Sequence, residues 1–265
     1  MLNYLRTCQS AICDLFEDNH KRRRNARAGH ASTTAECQTL EAKQLMSGVS
    51  LEGGVLKIQA VQHDNTSSKE VRVYYDGNEV VVRTLGLHYS QGVNVRKFPT
   101  NSVNKIEFRG TALKDKFTNY TEITSEAWGY AGSDTFSGGN WQSKSVDIFH
   151  GGKGKDFLYG QGGNDQLYGG GGVDKLVGGD DNDILEGGKH NDTLIGGSGS
   201  DILRGGHGND KLYGNTASVL RDREKDYLFG GRGYDTMGTG DPDDNIDGRK
   251  MRLWRRMGYK SWVSR

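Results

Sequence analysis

Seven nine-residue units follow one another without a gap from Gly151 to Tyr213, each with an aspartate in sixth place and a leucine in eighth. They read GGKGKDFLY, GQGGNDQLY, GGGGVDKLV, GGDDNDILE, GGKHNDTLI, GGSGSDILR and GGHGNDKLY. No unit this short buries an apolar face alone, so a fixed period of nine forces the units to stack into a solenoid. The second half of each unit, x-Leu-x, is a very short strand whose leucine points inward while its neighbours point out. Leu158, Leu167, Leu176, Leu185, Leu194, Leu203 and Leu212 form the inward set. The glycine-rich first half is a tight turn, because glycine takes positive φ at little steric cost and lets the backbone pass close to a ligand. The expected fold class is all-β: a right-handed parallel β-roll solenoid preceded by a small β-strand capping region.

Two units make one coil, so turns eighteen residues apart stack on the same edge, with neighbouring strands about 4.8 Å apart. This sorts the aspartates into two columns. Asp156, Asp174, Asp192 and Asp210 form one, and Asp165, Asp183 and Asp201 the other. A turn that offers backbone carbonyls and a carboxylate suits a hard cation with six to eight oxygen ligands, not a nitrogen- or sulfur-preferring metal, and calcium fits best. The repeated G-G-x-G-x-D-x-U-x pattern resembles the RTX, or haemolysin-type, calcium-binding repeat family. The resemblance implies several calcium ions per chain, each between stacked turns. Its ligands would be the aspartates and carbonyls of the first four motif positions, among them Gly151, Gly152, Gly154, Gly169, Gly170, Gly172, Gly196, Gly197, Gly199, Gly205, Gly206 and Gly208.

Weaker copies flank the block. Gly129 to Ser137 keeps Asp134 and Phe136 but puts Tyr130 in a glycine slot, and extra residues precede Asp147 and Phe149. Beyond Tyr213, a longer charged excursion precedes Asp226 and Leu228, and GGRGYDTMG closes the series with Asp235 and Met237. Asp134, Asp147, Asp226 and Asp235 are therefore further candidate ligands. Inside the block Gln161, Asp181 and His190 replace glycines, which leaves their carbonyls available and the turn geometry open. From Gly129 to Gly248 there are eighteen Asp and two Glu against eleven Lys and Arg, a balance of minus nine. Stacked carboxylates repel, so the tract is expected to be loose without calcium and to fold on binding it.

The organisation read from the sequence is a basic segment over 1–50, disordered or processed, an all-β capping region over 51–128, the roll over 129–238, and an acidic loop with a basic tail over 239–265. Residues 51–128 contain runs rich in β-branched and aromatic residues, with Asp76-Gly77 as a hairpin signal, and Gly110 to Thr118 places Asp115 and Phe117 as a degenerate nonapeptide would. The first fifty residues hold Cys8, Cys13, Cys37 and the run Lys21 to Arg24. Arg6, Gln9 and Asp14 interrupt Met1 to Phe16, so neither a standard signal peptide nor a membrane-spanning helix is read there. Asp243, Asn245, Asp247 and Gly248 open like an EF-hand loop, but Trp254 stands where its glutamate belongs.

No H-E-x-x-H, G-x-S-x-G or P-loop occurs, and a periodic column of carboxylates is a ligand array and not a tuned acid and base pair. The reading is a noncatalytic calcium-binding protein at a bacterial surface or outside the cell, structural or adhesive. A fragment or accessory module of a secreted enzyme or toxin is the alternative. Calcium is the expected partner, with cell-surface components open as further ones and no nucleic acid. The tail, Arg249 to Arg265, carries seven Lys and Arg and no acid, and is read as a cap on the last coil or a disordered tail, with contact to an anionic membrane as the alternative.

Overall fold

The computed structural model describes residues 48–60, 69–85, 94–139, 142, 144–215, 224–238 and 245–247, all within one unit spanning 48–265. The three cysteines, the basic N-terminal run, Asp243 and the tail lie outside the described residues. Among those described, no helix is long and apolar enough to cross a membrane.

The chain begins with hairpins and ends as a solenoid. Strands β1 (Val49–Glu52) and β2 (Val55–Gln59) pair antiparallel across Gly53 and Gly54, both at positive φ. Strands β3 (Lys69–Asp76) and β4 (Glu79–Leu85) pair antiparallel across Gly77 at φ 61°, where the Asp-Gly signal predicts a hairpin, and β5 (Asn94–Pro99) adds to β4. From there every pairing is parallel. Strand β6 (Lys105–Arg109) lies on β2, β7 (Asp115–Asn119) on β3, and β8 (Ser125–Trp128) on β6. The hairpins supply the first rungs on which the coils stack, and both sheets run through position 128 without a break.

The roll continues with β9 (Thr135–Ser137), β10 (Ile148–Lys153), β11 (Phe157–Gly162), β12 (Gln166–Gly171), β13 (Lys175–Asp180) and β14 (Ile184–Lys189). It ends with β15 (Thr193–Ser198), β16 (Ile202–His207), β17 (Lys211–Tyr213), β18 (Tyr227–Arg232), β19 (Thr236–Gly238) and β20 (Asn245–Asp247). Even-numbered strands from β6 onward extend one sheet, and odd-numbered strands from β7 onward extend the other. Register follows the eighteen-residue coil: Leu158 lies beside Leu176, Leu176 beside Leu194, and Leu194 beside Leu212. On the far side of the longer connection after Tyr213, the register resumes and Leu203 meets Leu228. Asn245 to Asp247, part of the EF-hand-like stretch, pairs with β18 as one more rung.

All seven leucines of the block are fully buried between the two sheets. Toward the cap the inward positions hold phenylalanines. Phe108 stacks on Phe117 with ring centroids 5.0 Å apart, and Phe136 and Phe149 meet Phe117 edge-on. Larger side chains fill the interior where the regular coil gives way to Leu56, Ile58, Val71, Val73, Val80 and Val82 of the hairpins.

The strands of the block are longer than x-Leu-x. Most run for six residues, through the first three positions of the next unit, so Gly170 pairs with both Gly152 and Gly188. Glycine allows this, since the positive-φ backbone at Gly170 (φ 102°) passes directly over the Gly152 carbonyl with no room for a Cβ. Gln161, Asp181, His190 and Tyr130 adopt the same left-handed backbone at φ 82°, 73°, 78° and 65°. The stacked neighbours thus impose the turn on side chains for which it costs about 1 kcal/mol each.

Candidate metal centres

Turns from the even to the odd sheet carry Asp156, Asp174, Asp192 and Asp210, and turns in the other direction carry Asp165, Asp183 and Asp201. The two expected columns are therefore two opposite ridges of the roll. Asp134 and Asp235 extend the first, and Asp147 and Asp226 the second. All eleven side chains are buried.

Each carboxylate divides its oxygens between two tasks. Oδ1 accepts the backbone N–H of the aspartate one coil earlier: Asp156 donates to Asp174, Asp174 to Asp192 and Asp192 to Asp210, at 2.8, 2.8 and 2.9 Å. On the second ridge Asp147 donates to Asp165, Asp165 to Asp183 and Asp183 to Asp201, at 2.8, 2.8 and 2.9 Å. The other oxygen, Oδ2, is buried without a hydrogen-bond partner in Asp134, Asp156, Asp165, Asp174, Asp183, Asp192 and Asp210. A buried carboxylate oxygen left unmatched is costly unless a cation takes it.

Carbonyl oxygens gather beside these atoms. A Cβ on Gly169 would lie 2.7 Å from Asp174 Oδ2 and 2.7 Å from the Gly187 carbonyl of the next coil. On Gly187 it would meet Asp192 Oδ2 and the Gly205 carbonyl at 2.6 and 2.8 Å. Gly151, Gly196 and Gly205 likewise sit against the carboxylate of their own unit. Gly152, Gly154, Gly170, Gly172, Gly197, Gly199, Gly206 and Gly208 press on carbonyls of the preceding coil. Among the described residues no three acidic, His or Cys side chains converge on one point. Any ion here takes most of its ligands from the backbone, a set of carbonyls around one or two carboxylates that fits calcium and not zinc or copper.

Electrostatics point the same way. Burial, reinforced in most cases by neighbouring carboxylates, pushes Asp134, Asp165 and Asp183 up to about 8, Asp192 to about 7, and Asp174 and Asp210 to about 6. Asp147 and Asp156 move in the same direction, again chiefly through burial. Without a counter-ion the ridges hold charge in a place that disfavours it.

Toward the cap the turns satisfy themselves. Asp115 Oδ2 accepts the Thr111 N–H at 2.6 Å and its hydroxyl at 2.9 Å. Ser125 occupies an aspartate place on the second ridge and gives both its N–H and its hydroxyl to Asp147 Oδ1, while Gly139 donates to Asp147 Oδ2. In the turn that leads to Ser125, Asn119 Oδ1 accepts the N–H and hydroxyl of Thr121, and Asn119 Nδ2 donates to the Ile123 carbonyl. Protein hydrogen bonds there do what an ion would do between the regular coils.

One part of the site is missing from the sequence reading. Fifth-place side chains form an outer ladder: Asn164 Oδ1 accepts the Asn182 N–H, Asn182 that of Ser200, Asn191 that of Asn209, and Asn209 that of Tyr234, at 2.7 to 2.9 Å. The repeated Asn-Asp pair was its signal.

A scan of protein families matches four copies of the RTX calcium-binding nonapeptide repeat, at residues 145–176, 168–203, 186–216 and 224–237. No curated protein and no solved structure matches the chain.

Proposed function

We propose, for a chain whose repeat tract belongs to the RTX calcium-binding nonapeptide repeat family, a noncatalytic role outside the cell, structural or adhesive, in a protein that folds when it binds calcium. Repeats of this family bind several calcium ions per chain, and the proteins that carry them are typically secreted by bacteria. The observation that carries the proposal is the row of buried Oδ2 atoms without hydrogen-bond partners, with a carbonyl of the next coil against the same turn glycine at Asp134, Asp165, Asp174, Asp183, Asp192 and Asp210.

In this reading Asp156, Asp165, Asp174, Asp183, Asp192, Asp201 and Asp210 hold the ions with the glycine carbonyls of their turns. Asp134, Asp226 and Asp235 extend the columns. Asp147 is the weakest of the set, since protein donors already fill both of its oxygens. Residues 51–128 serve as the cap and 129–238 as the calcium-dependent roll, to which Asn245 to Asp247 add a last rung. Calcium sites of extracellular modules bind at about 10⁻⁴ to 10⁻³ M, so such a roll stays loose where free calcium is low and sets where it is high.

Calcium titration of the full chain by calorimetry, followed in parallel by circular dichroism, tests this. Several ions per chain and a rise in β signal are expected. A β spectrum unaffected by excess chelator, or a chain that takes up no calcium, would sink the proposal.

A further inference from the structure

The two ridges differ in what they show to solvent. On the Asp156 to Asp210 ridge, third-place residues run Lys153, Gly171, Lys189, His207 and Arg232, each in register with the next. Lys114, Lys155 and His190 stand at other outward places of the same turns, and Lys175 and Lys211 follow the ridge on its odd-sheet side. All are exposed except Lys175, which is partly so. From Gly110 to Tyr234, no outward turn position of this ridge carries an Asp or Glu among the described residues. The opposite ridge bears Asp180 and Asp181 and no cation in its regular turns, and Lys144 and Lys225 stand only in its two irregular ones. Charge is thus segregated by the parity of the repeat unit.

From this segregation we propose that the Lys153–Arg232 ridge is a docking rail for a linear acidic polysaccharide. Three features favour such an occupant. Cations recur at the strand spacing of about 4.8 Å or twice that, a pitch close to that of sugar units in an extended glycan. Lys175, Thr193, Lys211 and Thr236 alternate along the flank, and Asn191 and Asn209 follow the crest. These hydroxyls and amides suit sugar hydroxyls, and with Oδ1 tied into the outer ladder each of the two asparagines has Nδ2 donors to offer. Single-stranded nucleic acid, by contrast, is held by bare aromatic faces and Arg. Here Lys155 covers Phe157 at 5.1 Å, and the exposed rings, Tyr130 and Tyr234, stand at the two ends of the ridge and not along it.

The inference rests on calcium filling the columns. Each coil places one carboxylate under the ridge, so a divalent ion per interval turns the local charge from minus one to plus one beneath the lysines. The rail is assembled and made attractive by the same ion, and calcium gates binding.

Full-length chain, first shown by circular dichroism to be folded in calcium, would be passed over immobilised chondroitin sulfate, uncharged dextran and oligothymidylate. Binding to chondroitin sulfate in calcium, none to dextran and loss in chelator are expected. Lys153→Glu with Lys189→Glu should weaken binding about tenfold or more. The charge-matched pair Lys144→Glu with Lys225→Glu, away from this ridge, should leave it unchanged, and both variants should keep the wild-type calcium stoichiometry. Equal losses in the two variants, tighter binding to oligothymidylate, or retention undiminished in chelator would overturn the proposal. A chain that takes up calcium and folds yet ignores chondroitin sulfate defeats the rail alone. One that takes up no calcium defeats the reading beneath it.

Discussion

At the scale of the residue, each aspartate is both a hydrogen-bond acceptor and a charge, and substitution can separate the two. Asp192→Asn keeps an Oδ1 for the Asp174 N–H but removes the charge, so it should lower calcium uptake while leaving the metal-free roll no less stable. Asp192→Ala removes the acceptor as well and strands a buried N–H, at a cost of about 1 to 3 kcal/mol in the calcium-free state. Denaturant unfolding in chelator ranks the two variants, and equal stabilities would show that the inter-coil bond contributes nothing. Glycines can be sorted in the same way. A Cβ on Gly172 (φ 148°) would collide with the Gly154 carbonyl, whereas one on Gly171 has nothing nearer than 3.9 Å. Gly172→Ala should therefore cost more than about 2 kcal/mol and Gly171→Ala almost nothing, read as the shift in unfolding midpoint in calcium. The sequence showed the aspartates and leucines because both answer to the period. The Oδ1 bond was not legible, since it joins residues a full coil apart. The positive φ of Gln161, Asp181 and His190 was equally hidden, because stacking and not local preference sets it.

At the scale of the element, the turns grade from self-sufficient to ion-seeking. Thr111, Asn119, Thr121 and Ser125 close the first turns with hydroxyls and amides, and the phenylalanine cluster packs just above them. The region over 48–128 should stay folded in chelator while the block from Gly151 onward opens. Limited proteolysis in chelator is expected to cut within 151–235 and spare a fragment carrying the cap, and cleavage spread evenly over both would contradict this. Asp115 and Phe117 revealed that a degenerate coil lay inside the β-rich region. How the hairpins join the roll was beyond reach of the sequence, because β2 and β6, or β3 and β7, pair across long separations with no shared motif.

For the whole molecule, acidity and calcium should act on the same charges in different ways. Burial holds Asp134, Asp165, Asp174, Asp183, Asp192 and Asp210 at about 6 to 8 in the folded, metal-free chain, against an ordinary value of 3.8. A raised folded value means that the folded state holds protons more tightly. Its contribution to stability is complete below about 4 and is lost as pH climbs through 6 to 8. In chelator the β signal should accordingly grow as pH falls from 8 toward 5, whereas apparent calcium affinity should weaken over the same range as protons compete for Oδ2. A metal-free chain that loses structure on this mild acidification would refute the assignment of buried charge as the obstacle to folding.

Because a coil consists of two nonapeptides, the lineage of such a chain can lengthen or shorten freely only in steps of eighteen. Loss or duplication of a lone nine-residue unit would transpose every later side chain to the opposite sheet. The leucines and carboxylates would survive the exchange unharmed, but Lys189, His207 and Arg232 would cross to the far edge and leave Lys153 behind. Selection acting on the surface would thus record an even count, where selection on the core alone would tolerate any.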